Sequence, residues 1–299
     1  MRKVLLLFAL GISTCGFAQV FTVQSVEKLD IPQSLDQKVV AISPQGDYVV
    51  TTDQSNAGLM KFDLASKSTQ QLTDARGAGY KVQISEDGQN VIFRETQFNE
   101  KHLRYNSLKA INLSSGEKKE LVSATRDLEG YMLEGATVAA VNNGKVQKKA
   151  LAGNAVVTRP VLSINNRQLM ITQNGQTRVL SPNGQEYSYI WESLSPNGQK
   201  VLYYVGGRGA FVCDLDGSNV TSLGVIRAPQ WYDDNTVVGM YDQDNGYYTT
   251  SSVIKVATLD GQVQTLTDDS QIAMYPVAAE GKIAFSTPYG ESYLIHVTK

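Results

Sequence analysis

Histidine and cysteine are scarce in this chain of 299 residues, which contains two of each. The two histidines, His102 and His296, lie far apart in the sequence. Neither belongs to a His-x-x-x-His spacing, and no cysteine pair accompanies them, so a zinc site is not expected. A Gly-x-Ser-x-Gly pentad, the nucleophile elbow of α/β-hydrolase peptidases, is absent as well. The sequence therefore supplies no catalytic residue for a Ser-His-Asp triad, and we expect both histidines to be structural or surface groups.

The chain also has no large excess of charge of either sign, because 27 Lys and Arg residues nearly balance 29 Asp and Glu residues, for a net charge of -2. No basic stretch exceeds two residues, and the pair Lys118-Lys119 is flanked by Glu117 and Glu120. A nucleic-acid partner requires a basic face that displaces counterions from phosphates, so none is expected. No glycine-rich phosphate loop is present, and we expect no cofactor.

Two acidic stretches resemble the beginnings of calcium loops. Asp242-x-Asp244-x-Gly246 lacks a carboxylate at the twelfth position of such a loop, where Val253 stands. Asp214-x-Asp216-Gly217 falls where a hairpin turn is expected, and Asp-Gly is common in those turns. We therefore expect no metal site, and structural calcium is the less favoured alternative.

Long apolar runs are missing except at the N-terminus. Arg2-Lys3 precede an apolar run at residues 4–12 that is too short to span a bilayer, and small residues follow at 13–18. This pattern predicts a signal peptide over residues 1–18, a mature chain of residues 19–299 that forms one domain, and a periplasmic or secreted location. A lipoprotein signal at Cys15 is less favoured, because Thr14 is larger than the residue that usually precedes a lipidated cysteine. No transmembrane segment is expected in the mature chain.

Cleavage after Ala18 would leave Cys213 as the single cysteine, which cannot form an internal disulfide. Cys213 lies in the alternating stretch 210–215, which is typical of a β-strand. We expect a buried structural thiol rather than a nucleophile, which would need a nearby base.

Apolar runs that alternate with period two fill the rest of the chain, and helical spacing is almost absent. Gly-containing turn motifs recur before these runs. They are Ser43-Pro44-Gln45-Gly46, Ser85-Glu86-Asp87-Gly88, Ser195-Pro196-Asn197-Gly198, the related stretch 229–235, and Ala279-Glu280-Gly281. Each is followed by three further strands, except the last, which is followed by two, and a period of about 40 residues with four strands is the signature of a β-propeller blade. The motif itself predicts the tight turn from the innermost strand to the second, with glycine at positive φ.

The region between the Ser85 and Ser195 motifs contains no such turn, but it contains Asn-Gly hairpins at Asn143-Gly144 and Asn174-Gly175. We interpret them as two compact, degenerate blades. The predicted fold is therefore an all-β propeller of seven four-stranded blades, with six blades as the alternative. The alternating strand at residues 21–29 is predicted to pair with the last repeat, which ends at Val297 without a fourth strand, and so to close the ring.

These repeats resemble the TolB-like, WD40-like propellers of bacterial envelope proteins. The matching stretches are Trp191-x-x-x-Ser195-Pro196-Asn197-Gly198, residues 228–234 and residues 212–217. The resemblance implies a propeller over roughly the whole mature chain, strongest after Ser188 and weakest between Thr125 and Gln185. It implies the fold more than an activity, since the same repeat occurs in periplasmic interaction proteins and in the propellers of prolyl-oligopeptidase-like enzymes. TolB members also carry an N-terminal α/β domain, for which no sequence is expected here, so TolB's own role is not implied.

Propellers bind ligands at the mouths of the central channel, where loops from every blade converge. The connections between second and third strands, at residues 95–107, 206–209, 242–252 and 287–292, are expected to share one face. They contain Phe98, Tyr105, Arg208, Tyr247, Tyr248 and Tyr289. Because aromatic residues and arginine are enriched at the centres of interfaces, we predict partner binding by Arg208, Tyr247, Tyr248 and Tyr289. Packing of these side chains on neighbouring blades is the alternative.

Two functional hypotheses follow. The favoured one is a non-enzymatic propeller that binds or scaffolds a protein or peptide partner in the cell envelope. The alternative is an enzyme or carbohydrate-processing protein with a polar site at the central channel. A cluster of carboxylates and arginines at one mouth of the channel would support the alternative.

Overall fold

A computed structural model describes residues 19–32 and 37–299; the predicted signal peptide, residues 1–18, lies outside the described residues. The described residues form 26 β-strands. They include no helix with the length and apolar character needed to cross a membrane.

The strands form seven antiparallel sheets, which are the blades of the propeller. Strand β1 (Thr22–Lys28) precedes blade 1 in the sequence. Blade 1 consists of β2 (Gln37–Ile42), β3 (Tyr48–Asp53), β4 (Leu59–Asp63) and β5 (Thr69–Thr73), and blade 2 of β6 (Gln83–Ile84), β7 (Asn90–Phe98), β8 (Arg104–Asn112) and β9 (Lys118–Thr125). Blade 3 consists of β10 (Leu128–Glu134), β11 (Thr137–Asn142) and β12 (Lys145–Ala150), and blade 4 of β13 (Val161–Asn165), β14 (Gln168–Gln173) and β15 (Gln176–Val179). Blade 5 consists of β16 (Tyr189–Leu194), β17 (Lys200–Val205), β18 (Gly209–Asp214) and β19 (Thr221–Gly224), and blade 6 of β20 (Arg227–Asp233), β21 (Thr236–Asp244), β22 (Thr249–Thr258) and β23 (Val263–Thr265). Blade 7 consists of β24 (Met274–Ala279), β25 (Lys282–Ser286) and β26 (Ser292–Thr298), and it is completed by β1.

The hydrophobic core lies between the blades rather than at one centre. Each pair of neighbouring blades shares its own cluster of buried side chains, and the cluster between blades 7 and 1 closes the series. Val201 and Leu202, which alternate on β17, illustrate the pattern, because Val201 packs towards blade 4 and Leu202 towards blade 6. Burial on both faces explains why the second strands are continuous apolar runs. The prediction of a seven-bladed propeller is confirmed, and the alternative of six blades is wrong.

The N-terminal strand closes the ring, as predicted. Strand β1 pairs antiparallel with β26, from Thr22 opposite Thr298 to Lys28 opposite Tyr293. Phe21, immediately before the strand, is fully buried in the cluster between blades 6 and 7. Blade 7 is therefore built from both ends of the described chain, and β26 has no unpaired edge.

The Ser-Pro-Asn-Gly motif forms the predicted turn between the first and second strands of blade 5. Gly198 has φ of 73° and its N–H donates to the Ser195 carbonyl at 2.7 Å. The buried hydroxyl of Ser195 also accepts hydrogen bonds from the N–H groups of Gln199 and Lys200, at 3.1 and 2.9 Å. The serine thus stabilises the turn, which is why it recurs even where proline does not. We call the face that carries these turns the lower face, and the opposite face, which carries the turns between second and third strands of the four-stranded blades, the upper face.

Blades 3 and 4 are the two compact blades predicted from the Asn-Gly hairpins, and each has three strands instead of four. Asn143-Gly144 and Asn174-Gly175 take positive φ at both residues, as a type I′ hairpin turn requires. Each strand carries the chain from one face to the other, so a blade of four strands begins and ends on the upper face. Blade 3 has only three strands, and the chain therefore leaves it on the lower face. The innermost strand of blade 4, β13, therefore runs opposite to the other innermost strands.

Two contacts show this reversal. Glu134, at the lower end of β10, accepts a hydrogen bond from the N–H of Thr158, just before β13, at 2.8 Å. The carbonyl of Arg167, just after β13, accepts one from Tyr189 N–H at the upper end of β16, also at 2.8 Å. The second three-stranded blade restores the original direction, so the two irregular blades compensate for each other. Residues 164–167 consequently lie on the upper face.

Candidate partner-binding face and channel mouth

The four predicted binding residues lie on the upper face of three consecutive blades. Arg208 is in the turn between β17 and β18 of blade 5, Tyr247 and Tyr248 lie between β21 and β22 of blade 6, and Tyr289 lies between β25 and β26 of blade 7. The antiparallel registers place all three turns at the end of the blade away from the Ser-Pro-Asn-Gly type turns. Topology thus brings residues that are widely separated in sequence onto one arc of the ring.

The three tyrosines are unusually exposed for aromatic side chains. Tyr247 is 95% exposed, Tyr289 75% and Tyr248 67%. Side chains this exposed contribute little to packing against neighbouring blades, so the packing alternative does not account for them. The tip of the blade 6 hairpin is ordered by its own polar groups, because the side-chain oxygen of Asn245 accepts hydrogen bonds from the N–H groups of Tyr247 and Tyr248, both at 3.1 Å. The aromatic pair is therefore presented on a defined turn.

Arg208 is held by an aromatic side chain that sequence reasoning missed. Its guanidinium lies over the ring of Tyr187, 4.3 Å from the ring centroid, in a cation–π contact. Tyr187 belongs to the segment that leads into β16 of the same blade. The contact could not be predicted without the strand order, because β16 and β17 separate Tyr187 from Arg208 in the sequence.

The hairpins of blades 2 and 6 extend the upper face. Strands β7 and β21 have nine residues each, compared with six in β3 and β17. Three extra residues correspond to about 10 Å of additional strand. Most of the predicted loops 95–107 and 242–252 are therefore strand. At the end of β7, Phe98 is 48% exposed and lies under the guanidinium of Arg76, at 5.5 Å.

An ion pair crosses the channel near the upper face. Lys81, which precedes β6 in blade 2, forms a direct salt bridge with Glu192 of β16 in blade 5. These blades are three positions apart in a ring of seven, so the pair spans the channel. Lys81 and Trp191 both have φ of 55° and occupy equivalent positions before the first turn of their blades. The bulge between Ile190 and Ser193 redirects β16, and the Glu192 side chain is only 2% exposed.

A second buried carboxylate at this end is also engaged by a cation. Asp242 accepts a hydrogen bond from Arg227 Nη1 at 2.7 Å, and its side chain is almost fully buried. A hydrogen bond with Tyr204 and the carboxylate of Asp242 raise the pKa of Arg227. Asp244, the next acidic residue of the proposed calcium stretch, accepts the N–H of Gly246 at 2.9 Å. Residues 19–32 and 37–299 contain no group of three or more His, Cys, Asp or Glu side chains that could hold a metal ion.

A cavity of about 560 Å³ opens between blades 2, 3 and 4 on the same face. Its lining includes the charged side chains Lys81, Arg94, Arg104, Arg126, Asp127 and Glu129 and the polar side chains Tyr80, Asn143 and Asn165. No two of its four cations are adjacent in the sequence, which explains why no basic cluster was predicted. The reversed direction of β13 brings Asn165 to this face. The four cations could have been found from the sequence by aligning the blades on their turns and comparing the residues at the upper-face positions.

The remaining chemistry-bearing residues lie apart from these features. Cys213 is fully buried, and burial raises the pKa of its thiol to about 12, which fits the predicted structural role. His102 is exposed in the turn of the blade 2 hairpin. His296 on β26 lies 3.3 Å from a carboxylate oxygen of Glu27 on β1. His102 belongs to blade 2 and His296 to blade 7, whereas Cys213 lies on β18 of blade 5, so neither histidine is placed to act as a base for Cys213.

Comparisons with known proteins agree with this fold. No protein-family model and no curated protein matches the chain. Among solved structures, a putative TolB from Agrobacterium tumefaciens is 16% identical, with 87% of this chain and 89% of that chain covered and a TM-score of 0.52. TolB from Acinetobacter baumannii is 15% identical, with 79% of this chain but only 55% of that chain covered and a TM-score of 0.51. The Swd1 β-propeller domain from Myceliophteria thermophila is 9% identical, with 93% and 100% covered and a TM-score of 0.60.

These likenesses define the class of the protein by fold alone. The chain is a seven-bladed β-propeller, and the resemblance to TolB-like and WD40-like propellers expected from the sequence is confirmed at that level. At such low sequence identity, the activities of these neighbours do not transfer to this chain.

Proposed function

We propose that this protein is an exported, non-enzymatic propeller that binds a protein or peptide partner in the cell envelope. The binding surface is the tyrosine rim, which we define as Arg208, Tyr247, Tyr248 and Tyr289. The observation that carries the proposal is the exposure of three tyrosines, each at least two-thirds accessible, on consecutive blades of one face. Tyrosine and arginine are among the side chains that most often dominate the energetics of protein interfaces.

The physical argument concerns what tyrosine gains on binding. An aromatic ring in water contributes little to folding, but it buries a large apolar area when a partner covers it, and its hydroxyl can still form a hydrogen bond. Tyrosine also has only two side-chain torsions to immobilise, so its ordering costs less than that of a long aliphatic side chain. The Asn245 hydrogen bonds and the Tyr187 stack fix the supporting turn and the arginine before binding. Such preorganisation raises affinity because less entropy is lost.

Export is part of the proposal and has its own test. The predicted signal peptide would be removed after Ala18, so the mature protein would begin at Gln19. Intact-mass measurement of the protein recovered from the cell envelope or the medium checks this. A diacylglyceryl group on Cys15, or retention of residues 1–18, would contradict it.

Site-specific photo-cross-linking in intact cells tests the binding surface even while the partner is unidentified. A photoreactive phenylalanine derivative replaces Tyr247 or Tyr289 in turn, and it replaces Val263 as the matched control. Val263 lies on the outermost strand of blade 6 and is 52% exposed, so it samples the same blade on a different surface. We expect one cross-linked species of the same mass shift from both rim positions and none from Val263. Equal cross-linking from Val263, or none from the rim, would contradict the proposal.

The second candidate function is processing of a small molecule or carbohydrate at the channel mouth. The observation that favours it is the charged cavity between blades 2, 3 and 4. Of its two carboxylates, Glu129 accepts the N–H of Gly144 at 2.9 Å, which leaves Asp127 as the candidate general base. Turnover of an oligosaccharide by the purified protein that is lost in Asp127→Asn would support this candidate. Absence of turnover across neutral and acidic oligosaccharides would count against it.

A further inference from the structure

Three arginines face the cavity between blades 2, 3 and 4 without an ion-pair partner. Arg94 comes from β7, Arg104 from the start of β8 and Arg126 from the connection between β9 and β10. Across residues 19–32 and 37–299, none of the three guanidinium groups forms a salt bridge. Because Arg stays protonated at any physiological pH, the cavity holds three positive charges that no protein carboxylate neutralises by direct contact.

Arg94 has the most informative environment of the three. Its guanidinium lies over the ring of Tyr80, 4.9 Å from the centroid. Its Nε atom is buried and has no hydrogen-bond partner in the described part of the chain. A buried N–H of a charged group without an acceptor is costly and uncommon in folded proteins. An acceptor supplied by a ligand in the cavity would satisfy it.

The other charges of the cavity do not cancel the arginines. Lys81 is engaged by Glu192, and Glu129 is turned to the N–H of Gly144. Three guanidinium groups therefore outnumber the two carboxylates, Asp127 and Glu129, in a chain whose net charge is -2. Such a local excess in a negatively charged protein concentrates anions at the cavity.

We propose that the cavity binds a small polyvalent oxyanion, a molecule with two or more carboxylate or phosphate groups. The planar fork of arginine matches both groups through paired hydrogen bonds, and three arginines on separate strands suit separated anionic groups. The volume of about 560 Å³ lies in the range of small-molecule sites and is too small for a folded partner. This site is independent of the tyrosine rim, which lies on blades 5 to 7, so either proposal can fail while the other stands.

Isothermal titration calorimetry on the purified protein tests the site, with ionic strength held constant. The probes are pyrophosphate and citrate, and acetate is the monovalent control. We expect pyrophosphate, citrate or both to bind at least about tenfold more tightly than acetate, and the tighter of the two identifies phosphate or carboxylate as the preferred group. Arg104→Gln and Arg126→Gln should each weaken that binding by about tenfold, the usual cost of one charge-assisted hydrogen bond.

Lys101→Gln is the matched control, because Lys101 is exposed on the same hairpin as Arg104 but does not line the cavity. It should leave the affinity within about twofold, since an exposed charge that does not line the cavity is largely screened by salt. Arg94→Gln should weaken binding as well; if it also lowers the melting temperature, the two exposed arginines decide the result. Three outcomes would overturn the proposal: neither probe exceeds acetate, Lys101→Gln weakens binding as much as Arg126→Gln, or only a long polyanion such as heparin binds.

Discussion

Gln264 on the outermost strand of blade 6 binds both backbone groups of Phe21. The N–H of Phe21 donates to Gln264 Oε1 at 2.8 Å, and Gln264 Nε2 donates to the Phe21 carbonyl at 2.8 Å. The ring of Phe21 packs edge-on against Tyr232 of blade 6, with centroids 4.5 Å apart. The segment that completes blade 7 is thus also attached to blade 6, and it joins two blades as well as closing the ring.

Removing the N-terminal segment that completes blade 7 and attaches it to blade 6 should destabilise the whole ring. Phe21→Ala creates a cavity between blades 6 and 7, and we expect it to lower the free energy of unfolding by about 3–5 kcal/mol. Deletion of residues 19–30 should cost at least as much, because it also exposes the edge of β26. Val26→Ala, on the half-exposed side of β1, is the control and should change stability by less than about 0.5 kcal/mol. Urea denaturation measures the free energy of unfolding of all three, and thermal denaturation gives the melting temperature of the deletion variant. A deletion variant that melts within a degree or two of the mature chain would show that other contacts close the ring.

The turn at Gly198 predicts a graded response to side chains. A Cβ atom at Gly198 would lie 2.9 Å from Cδ of Arg159, in addition to the strain of φ at 73°. Gly116 has a similar φ of 72°, but a Cβ atom there would meet no other atom within 4 Å, so this position isolates the backbone strain. We expect Gly198→Val to cost more than about 1 kcal/mol and more than Gly116→Val. Unfolding free energies of the two variants give the comparison, and unchanged stability of Gly198→Val would show that the turn is assigned wrongly.

Glu134 should make the contact between blades 3 and 4 dependent on pH. Burial alone would raise the pKa of Glu134, but hydrogen bonds from Arg159 N–H and from Thr158 outweigh burial and lower it below the ordinary value of 4.5. The ionised carboxylate therefore stabilises the fold above about pH 4.5, and this contribution is lost as the pH falls through the folded-state pKa. Glu134→Gln should cost about 1–3 kcal/mol at pH 7, where Thr158 and Arg159 lose a charged acceptor.

The difference between wild type and Glu134→Gln should shrink steadily as the pH is lowered from 5 to 3. Glu100→Gln, at the exposed tip of the blade 2 hairpin, is the control and should track the wild type at every pH. Chemical denaturation across this pH series supplies the data. A cost for Glu134→Gln that stays constant with pH would mean that the ionised carboxylate does not hold residues 158–159.

The fold was predictable because characteristic turn sequences mark the ends of the strands in the blades. The glycines at 46, 88 and 198 need positive φ, and the Asn-Gly pairs at 143–144 and 174–175 specify hairpins, so local turn chemistry fixes the strand boundaries. The reversed direction of β13 was not predicted, since it depends on counting the strands of blade 3. No local motif marks the missing fourth strand there.

The candidate sites were predictable to different degrees. Tyr247, Tyr248 and Tyr289 follow directly from their place between second and third strands, because that position alone assigns them to the upper face. The cation cluster depends on how the ring brings blades 2, 3 and 4 together, and Arg94 and Arg126 share no local pattern.

The most direct test of the tyrosine rim is a binding measurement with the cross-linked partner after its purification. It compares the affinity of the partner for the wild type with its affinity for a triple variant. The variant combines Arg208→Ala, Tyr247→Ala and Tyr248→Ala, all exposed positions whose loss should leave the melting temperature unchanged. Truncation of tyrosine and arginine anchors typically costs about 1–4 kcal/mol of binding free energy, so we predict a dissociation constant at least about tenfold higher for the variant. An unchanged dissociation constant in a folded triple variant would contradict binding through the rim, and a hydrolytic activity of the wild type that depends on Asp127 would contradict the non-enzymatic part of the proposal.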